Sequence, residues 1–132
     1  IADGAPYVVP LNFGYTWDDD GLTLYFHSGL KGKKIDALRA DPRVCFELDT
    51  EQGVTGEGDI ACRYSFAFSS IVGYGSMEFA KTPDEKRKGF DVIMQHQTGK
   101  GGWTYTDAAL SVTEVMRVRA ESFEASRKAP KG

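Results

Sequence analysis

Residues 64–80, YSFAFSSIVGYGSMEFA, form a long stretch of aromatic and aliphatic side chains with no turn signal. Such a stretch must be used as two strands, or as one long strand bent at Gly73 and Gly75, because an interior glycine leaves nothing to pack and marks a bulge or bend. Four further segments are rich in β-branched and aromatic residues: PYVVPLNFGY (6–15), LTLYFH (22–27), 43–49 and 112–123. Pro10 marks the first of these as an edge, a bulge or a functional irregularity. The polar TWDDDG between the first two predicts a hairpin over Pro6–His27 with a longer loop, and TEQGVTGEG (50–58) predicts a flexible loop.

Only two segments carry helical signals. Ile35, Ala37 and Leu38 give residues 31–40 a short apolar face that Asp41-Pro42 ends. Thr82 before Pro83, with Glu85 three residues after the threonine, predicts a capping box opening a second helix. Phe90, Ile93 and Met94 would be its buried stripe, and Glu85, Lys86, Arg87 and Lys88 its solvated face. The glycine-rich stretch 96–106 reads as a mobile loop. Without any repeated strand–helix–strand rhythm, five or six mostly consecutive strands point to a mainly β chain with short helices, arranged as an antiparallel barrel.

At 132 residues and 41% hydrophobic, the chain suits one compact domain over 1–125, with RKAPKG in a disordered tail at 126–132. A net charge of -3 and a pI near 5.4 provide no basic field for nucleic acid or an anionic membrane surface. No apolar run approaches the roughly 18 residues that span a bilayer, and no signal-peptide pattern is present, so a soluble, cytoplasmic protein with no membrane or nucleic-acid partner is expected. The opening IADG looks like the end of a strand entering a turn, which predicts that residues upstream are missing. Cys45, within the apolar run VCFEL, is expected to be a buried small hydrophobe. The wide separation of Cys45 and Cys62, with no paired histidines, predicts neither a zinc site nor a disulfide.

The junction YFHSGLKGKK, residues 25–34, concentrates chemistry. Ser28, Gly29 and Gly32 can expose backbone N–H groups at a helix start, beside Lys31, Lys33 and Lys34. Cations at a helix N-terminus oppose its dipole, so an anion is expected to offset them, although a simply solvated lysine face accounts for the spacing equally well. Neither the Walker nor the Rossmann glycine pattern is present.

PYVVPLNF followed by YFHSGLKGKK and ADPRVCFE resembles the FMN-binding split-barrel superfamily, the pyridoxamine 5'-phosphate oxidase-like proteins, and within it the nitroimidazole-resistance (Nim-type) branch. The resemblance implies a six-stranded antiparallel split β-barrel and a homodimer with FMN at its interface. It implies that Val9, Pro10, Leu11 and Asn12 run beside the flavin ring, that Phe26, His27 and Ser28 end a strand contacting ring and phosphate, that Lys33 or Lys34 holds the phosphate, and that Ser70 is a polar flavin contact. The chain departs from the family in lacking most of its upstream helix and first strand, and in carrying Gly32 where an arginine usually precedes the phosphate lysine.

With flavin as the electron carrier, the implied activity is an FMN-dependent oxidoreductase acting on nitro-aromatic or related small acceptors, with His27 as the catalytic side chain that contacts substrate or donates a proton. Trp103 and Tyr105, in the glycine-rich loop, are placed to close over flavin or substrate. A non-catalytic flavin-binding or storage module, a heme or deazaflavin ligand in the same barrel, and an oligonucleotide-binding barrel using exposed aromatics are the other readings.

Overall fold

The computed structural model describes residues 1–129. Its elements are β1 (Gly14–Asp18), β2 (Gly21–Gly29), α1 (Lys33–Ala40), β3 (Arg43–Thr55), a 3-10 turn at Ala61–Arg63, β4 (Ser65–Phe79), α2 (Pro83–Thr98), α3 (Asp107–Ser111) and β5 (Thr113–Lys128). The strands form a five-stranded antiparallel sheet in the order β1-β2-β5-β4-β3, open rather than closed. This corrects the expected six-stranded barrel. Residues 64–80 supply one strand rather than two, and in the segment expected to be a strand over 6–15, residues 6–13 are irregular and only Gly14 and Tyr15 join β1. Pro6 and Pro10 cannot donate to a ladder, and their fixed φ keeps the segment out of the sheet.

The hairpin that follows is tighter than expected. Asp18 pairs with Gly21, so only Asp19 and Asp20 form the turn, and the Asp18 carboxylate accepts the Asp20 amide at 3.0 Å. β3 continues through the polar stretch expected to be a loop, as far as Thr55. Residues 64–80 resolve into a single strand. β5 runs to Lys128, into the stretch expected to be an unstructured tail; residues 130–132 lie outside the described residues.

The contacts divide the chain into two compact units. The first comprises 1–44 and 75–120 and contains the largest buried side chains. Leu24 and Val118, both fully buried, face one another across β2 and β5, as do Phe26 and Met116, while Ile35 anchors α1. α2 lies over β1 and β2 in very close contact. A Cβ on Gly14 would sit 2.5 Å from the Val92 carbonyl oxygen and 2.6 Å from Ile93 Cα, and a Cβ on Gly89 would clash with Val115 Cγ1. α2 begins as expected: Thr82 Oγ1 accepts the Glu85 amide at 3.2 Å, and the Glu85 carboxylate accepts the Lys81 amide at 2.5 Å and, more loosely, the Thr82 amide. Its polar face is less solvated than the sequence suggests. Lys86 donates to the carbonyls of Leu110 and Thr113 at 2.8 and 2.7 Å, and Arg87 bridges Asp84 and Asp107, so two of the four charged residues tie α2 to α3 and the start of β5. The short helix α3, capped by Thr106, was not foreseen from the sequence.

The second unit comprises 45–74 and the chain from 121. Phe46 and Ala67 are buried in it, with the Phe46 ring set against Gly73. Cys45 is exposed, correcting its expected burial: alternation along β3 sends Phe46 inward and Cys45 and Glu47 outward, so the apolar run VCFEL has only one buried face. On β4, Phe66, Val72 and Tyr74 stand exposed. No helix among the described residues is long and apolar enough to cross a membrane.

Candidate functional site

Pro10, Leu11, Asn12 and His27 line an open cleft of about 380 Å³ in the first unit. Pro10 and Asn12 are exposed, Val9 and Leu11 half-buried. The irregular segment that carries them is held at both ends. At one end Lys33 Nζ lies 4.7 Å from the centroid of the Tyr7 ring, a cation–π contact that joins the segment to the first turn of α1. At the other, Gln97 of α2 donates to the Phe13 carbonyl at 2.8 Å, and the Phe13 ring packs on His96 at 4.7 Å. Backbone groups that a sheet would have consumed are thereby presented along a pinned, non-strand segment.

His27 projects from β2 beside the cleft with its ring exposed and 5.4 Å from that of Phe90 in α2. Alternation places Ser28 on the other face of the strand, with Leu24 and Phe26, so Phe26 packs in the core rather than beside His27. Ser28 is buried, and its Oγ has no hydrogen-bond partner. A buried hydroxyl left unpaired costs on the order of 1–3 kcal/mol, so it calls for an occupant that bonds to it. Just beyond, Gly32 caps α1 with φ 125 and no capping side chain, its carbonyl accepting the Ile35 and Asp36 amides. That leaves the first amides of α1 for an incoming anion, with Lys33 exposed and Lys34 half-buried next to them.

The structure therefore gathers Pro10, Leu11, Asn12 and His27 around one cleft, and places Ser28, Lys33 and Lys34 around the end of β2 and the start of α1. Ser70 lies half-buried on β4 in the second unit. The Tyr7 ring and Phe90 were not singled out as site residues from the sequence. Tyr7 stands in the same PYVVPLNF motif, whereas Phe90 was legible only as part of a helix stripe.

The aromatic loop is held in place more firmly than expected. Tyr105 stacks on Phe90 at 5.3 Å and donates its hydroxyl to Asp91 at 2.9 Å. Burial, and then this hydrogen bond, push the phenol up to about 12. The Trp103 indole N–H donates to the Lys100 carbonyl at 3.0 Å. Both residues are thus fastened to α2 or to the loop itself. Among the described residues, no group of three or more His, Cys, Asp or Glu side chains could hold a metal ion.

A flavin mononucleotide fits this donor set. It combines a doubly charged phosphate with a flat ring carrying polar edges. The unpaired Ser28 hydroxyl, the uncapped start of α1 and the adjacent lysines suit the first, and the open cleft along Pro10–Asn12 suits the second. These residues would hold the group; no metal ligand is required.

The family described as pyridoxamine 5'-phosphate oxidase matches residues 1–127. Among solved structures, a candidate 5-nitroimidazole antibiotic resistance protein from Bacteroides thetaiotaomicron is 35% identical with a TM-score of 0.78, the match covering 93% of this chain and 69% of that one. An FAD-binding protein from Mesorhizobium loti is 28% identical with a TM-score of 0.59, covering 95% and 79%. The FAD and heme binding protein from Mycobacterium smegmatis shares the fold, at 19% identity and a TM-score of 0.76, covering 100% of this chain and 65% of that one. No curated protein matches the chain.

Proposed function

Because the chain belongs to the pyridoxamine 5'-phosphate oxidase family, we propose that it is an FMN-binding oxidoreductase acting on nitro-aromatic or related small acceptors. The observation that carries the flavin part of this reading is the buried, unpartnered Ser28 hydroxyl at the strand end that leads into the lysine-bearing start of α1. The substrate class rests on the likeness to the Bacteroides protein and its named resistance role.

Bound flavin supplies the electron or hydride transfer. The chain's own residues supply the rest. Ser28 and the first turn of α1, with Lys34 and Lys33, bind the anionic end. Pro10, Leu11 and Asn12 line the ring side of the cleft, with Val9 behind them. His27, exposed at the cleft, is the side chain available to bond an acceptor or hand it a proton. Phe90 supports the His27 ring from one side, and Tyr105, kept protonated by burial and Asp91, backs Phe90.

A second copy of the chain is part of the proposal. Phe66, Val72 and Tyr74 leave an apolar stripe on β4, and Ser70 shares their alternation, so a partner covering this face would bring Ser70 to a flavin held between two copies. A cytoplasmic setting accords with the free thiols of Cys45 and Cys62.

The test is the visible absorption of the purified protein during titration with FMN, with FAD as a parallel arm, and the same titration of a Lys33→Ala/Lys34→Ala variant. Flavin binding that weakens in the variant is expected, followed by turnover of a nitro-aromatic acceptor with a reduced nicotinamide, lowered by His27→Gln. Flavin binding without turnover would reduce the protein to a flavin carrier. Indifference to both flavins would overturn the reading.

A further inference from the structure

The first unit has a second and larger concavity that the flavin reading does not use. It measures about 520 Å³ and lies where the early turns of α2 meet the end of β4 and the start of β5. Tyr25 and Val115 contribute its apolar floor, and both are buried within the chain. Gly89 lets α2 approach closely enough to form one wall, since a Cβ there would clash with Val115. The volume falls within the roughly 300–1,000 Å³ common for small-molecule pockets, and apolar walls with a few polar groups are their usual composition.

The charges around this groove are unequally matched. Glu78 is paired with Arg117 at 2.9 Å. Glu85 is occupied by the capping box, where the Lys81 amide holds its carboxyl below the usual range. Both acids are therefore committed, while among the described residues neither Lys81 nor Lys88 has an ion-pair partner for its ammonium group. In a chain of net charge -3, a rim with three cations, Lys81, Lys88 and Arg117, against the two acids Glu78 and Glu85 is a local attraction for an anion.

We propose that this groove is a second binding site, taking a small organic anion with a flat apolar body, such as an aryl carboxylate or aryl phosphate, whose charged end sits between Lys81 and Lys88 and whose body lies against Tyr25 and Val115. Its residues are separate from Pro10–Asn12, His27 and Ser28, so the site stands whether or not flavin binds. Arg117, already held by Glu78, forms the fixed side of the rim.

The test is an amide chemical-shift titration of the full chain with phenyl phosphate, with inorganic phosphate as a parallel arm. Saturable shifts at Tyr25, Lys81, Lys88 and Val115 are expected with phenyl phosphate and much weaker ones with inorganic phosphate, which lacks the apolar body. Lys81→Gln/Lys88→Gln should weaken binding by about tenfold or more, as losing charge-assisted bonds implies. Lys81→Arg/Lys88→Arg should retain it, and an otherwise unchanged spectrum shows that each variant is folded. Shifts confined to residues 28–34 would assign the anion to the flavin phosphate site and overturn the proposal. So would an absence of saturable shifts, or equal binding by the glutamine variant.

Discussion

Lys33 of α1 lies over the ring of Tyr7, its Nζ 4.7 Å from the centroid, and this contact pins the irregular segment that carries Pro10, Leu11 and Asn12 to the helix start. An exposed cation–π contact contributes about 0.5–1 kcal/mol. Tyr7→Leu should therefore weaken FMN binding by roughly two- to fivefold without removing any group expected to touch the cofactor. Quenching of flavin fluorescence on titration measures it, and a larger loss from Tyr7→Leu than from Lys34→Ala would contradict the division of roles.

Ser28→Ala should act in opposite directions with and without ligand. The hydroxyl is buried and unpaired in the chain alone, so removing it should leave stability unchanged or raise it by up to about 1 kcal/mol. The stabilisation that FMN confers should shrink, because a bond available only in the complex is gone. Thermal melts of both proteins, with and without FMN, give both numbers.

Two glycines where α2 meets the sheet, Gly14 of β1 and Gly89 of α2 itself, should differ in their tolerance of a methyl group. At Gly14 the added Cβ would meet the backbone of Val92 and Ile93 at 2.5–2.6 Å, which cannot yield without moving the helix. At Gly89 it would meet the Val115 side chain, where a rotamer change gives partial relief. Gly89→Ala should cost about 1–3 kcal/mol in urea unfolding and Gly14→Ala more.

Stability should fall in acid partly through Asp41. The Arg43 side chain, and then the Arg43 amide, hold this carboxyl at about 2 rather than its ordinary 3.8. A carboxyl depressed on folding contributes stability that is complete above its unfolded value and disappears as pH falls towards the folded one. The loss attributable to Asp41 should therefore fall between pH 3.8 and about 2. Asp41→Asn should flatten the acid limb of a pH series of thermal melts over that interval, at reduced stability near neutrality.

What could be read from the sequence was what neighbouring residues decide among themselves. The capping box of Thr82 and Glu85, with Pro83 after it, is complete within four residues, and α2 begins there. Asp41-Pro42 ends α1 for an equally local reason. The motifs around Pro10–Asn12 and His27–Lys34 were legible as a site because residue type and spacing carry that information, and the cleft does bring Pro10, Leu11, Asn12 and His27 together.

Tertiary structure decided everything that depends on a distant partner. Whether residues 64–80 make one strand or two, and whether 50–55 extend β3, depends on the strands beside them, since ladder hydrogen bonds join residues far apart in sequence. Cys45 faces outward because pairing, not hydropathy, chose which face of β3 is buried. The placement of Ser28 and His27 on opposite faces of β2 follows from local alternation, yet only the packed chain leaves the serine hydroxyl buried and unpaired and sets the lysine of α1 against Tyr7. Composition and spacing determined which groups are available; long-range packing determined which of them meet.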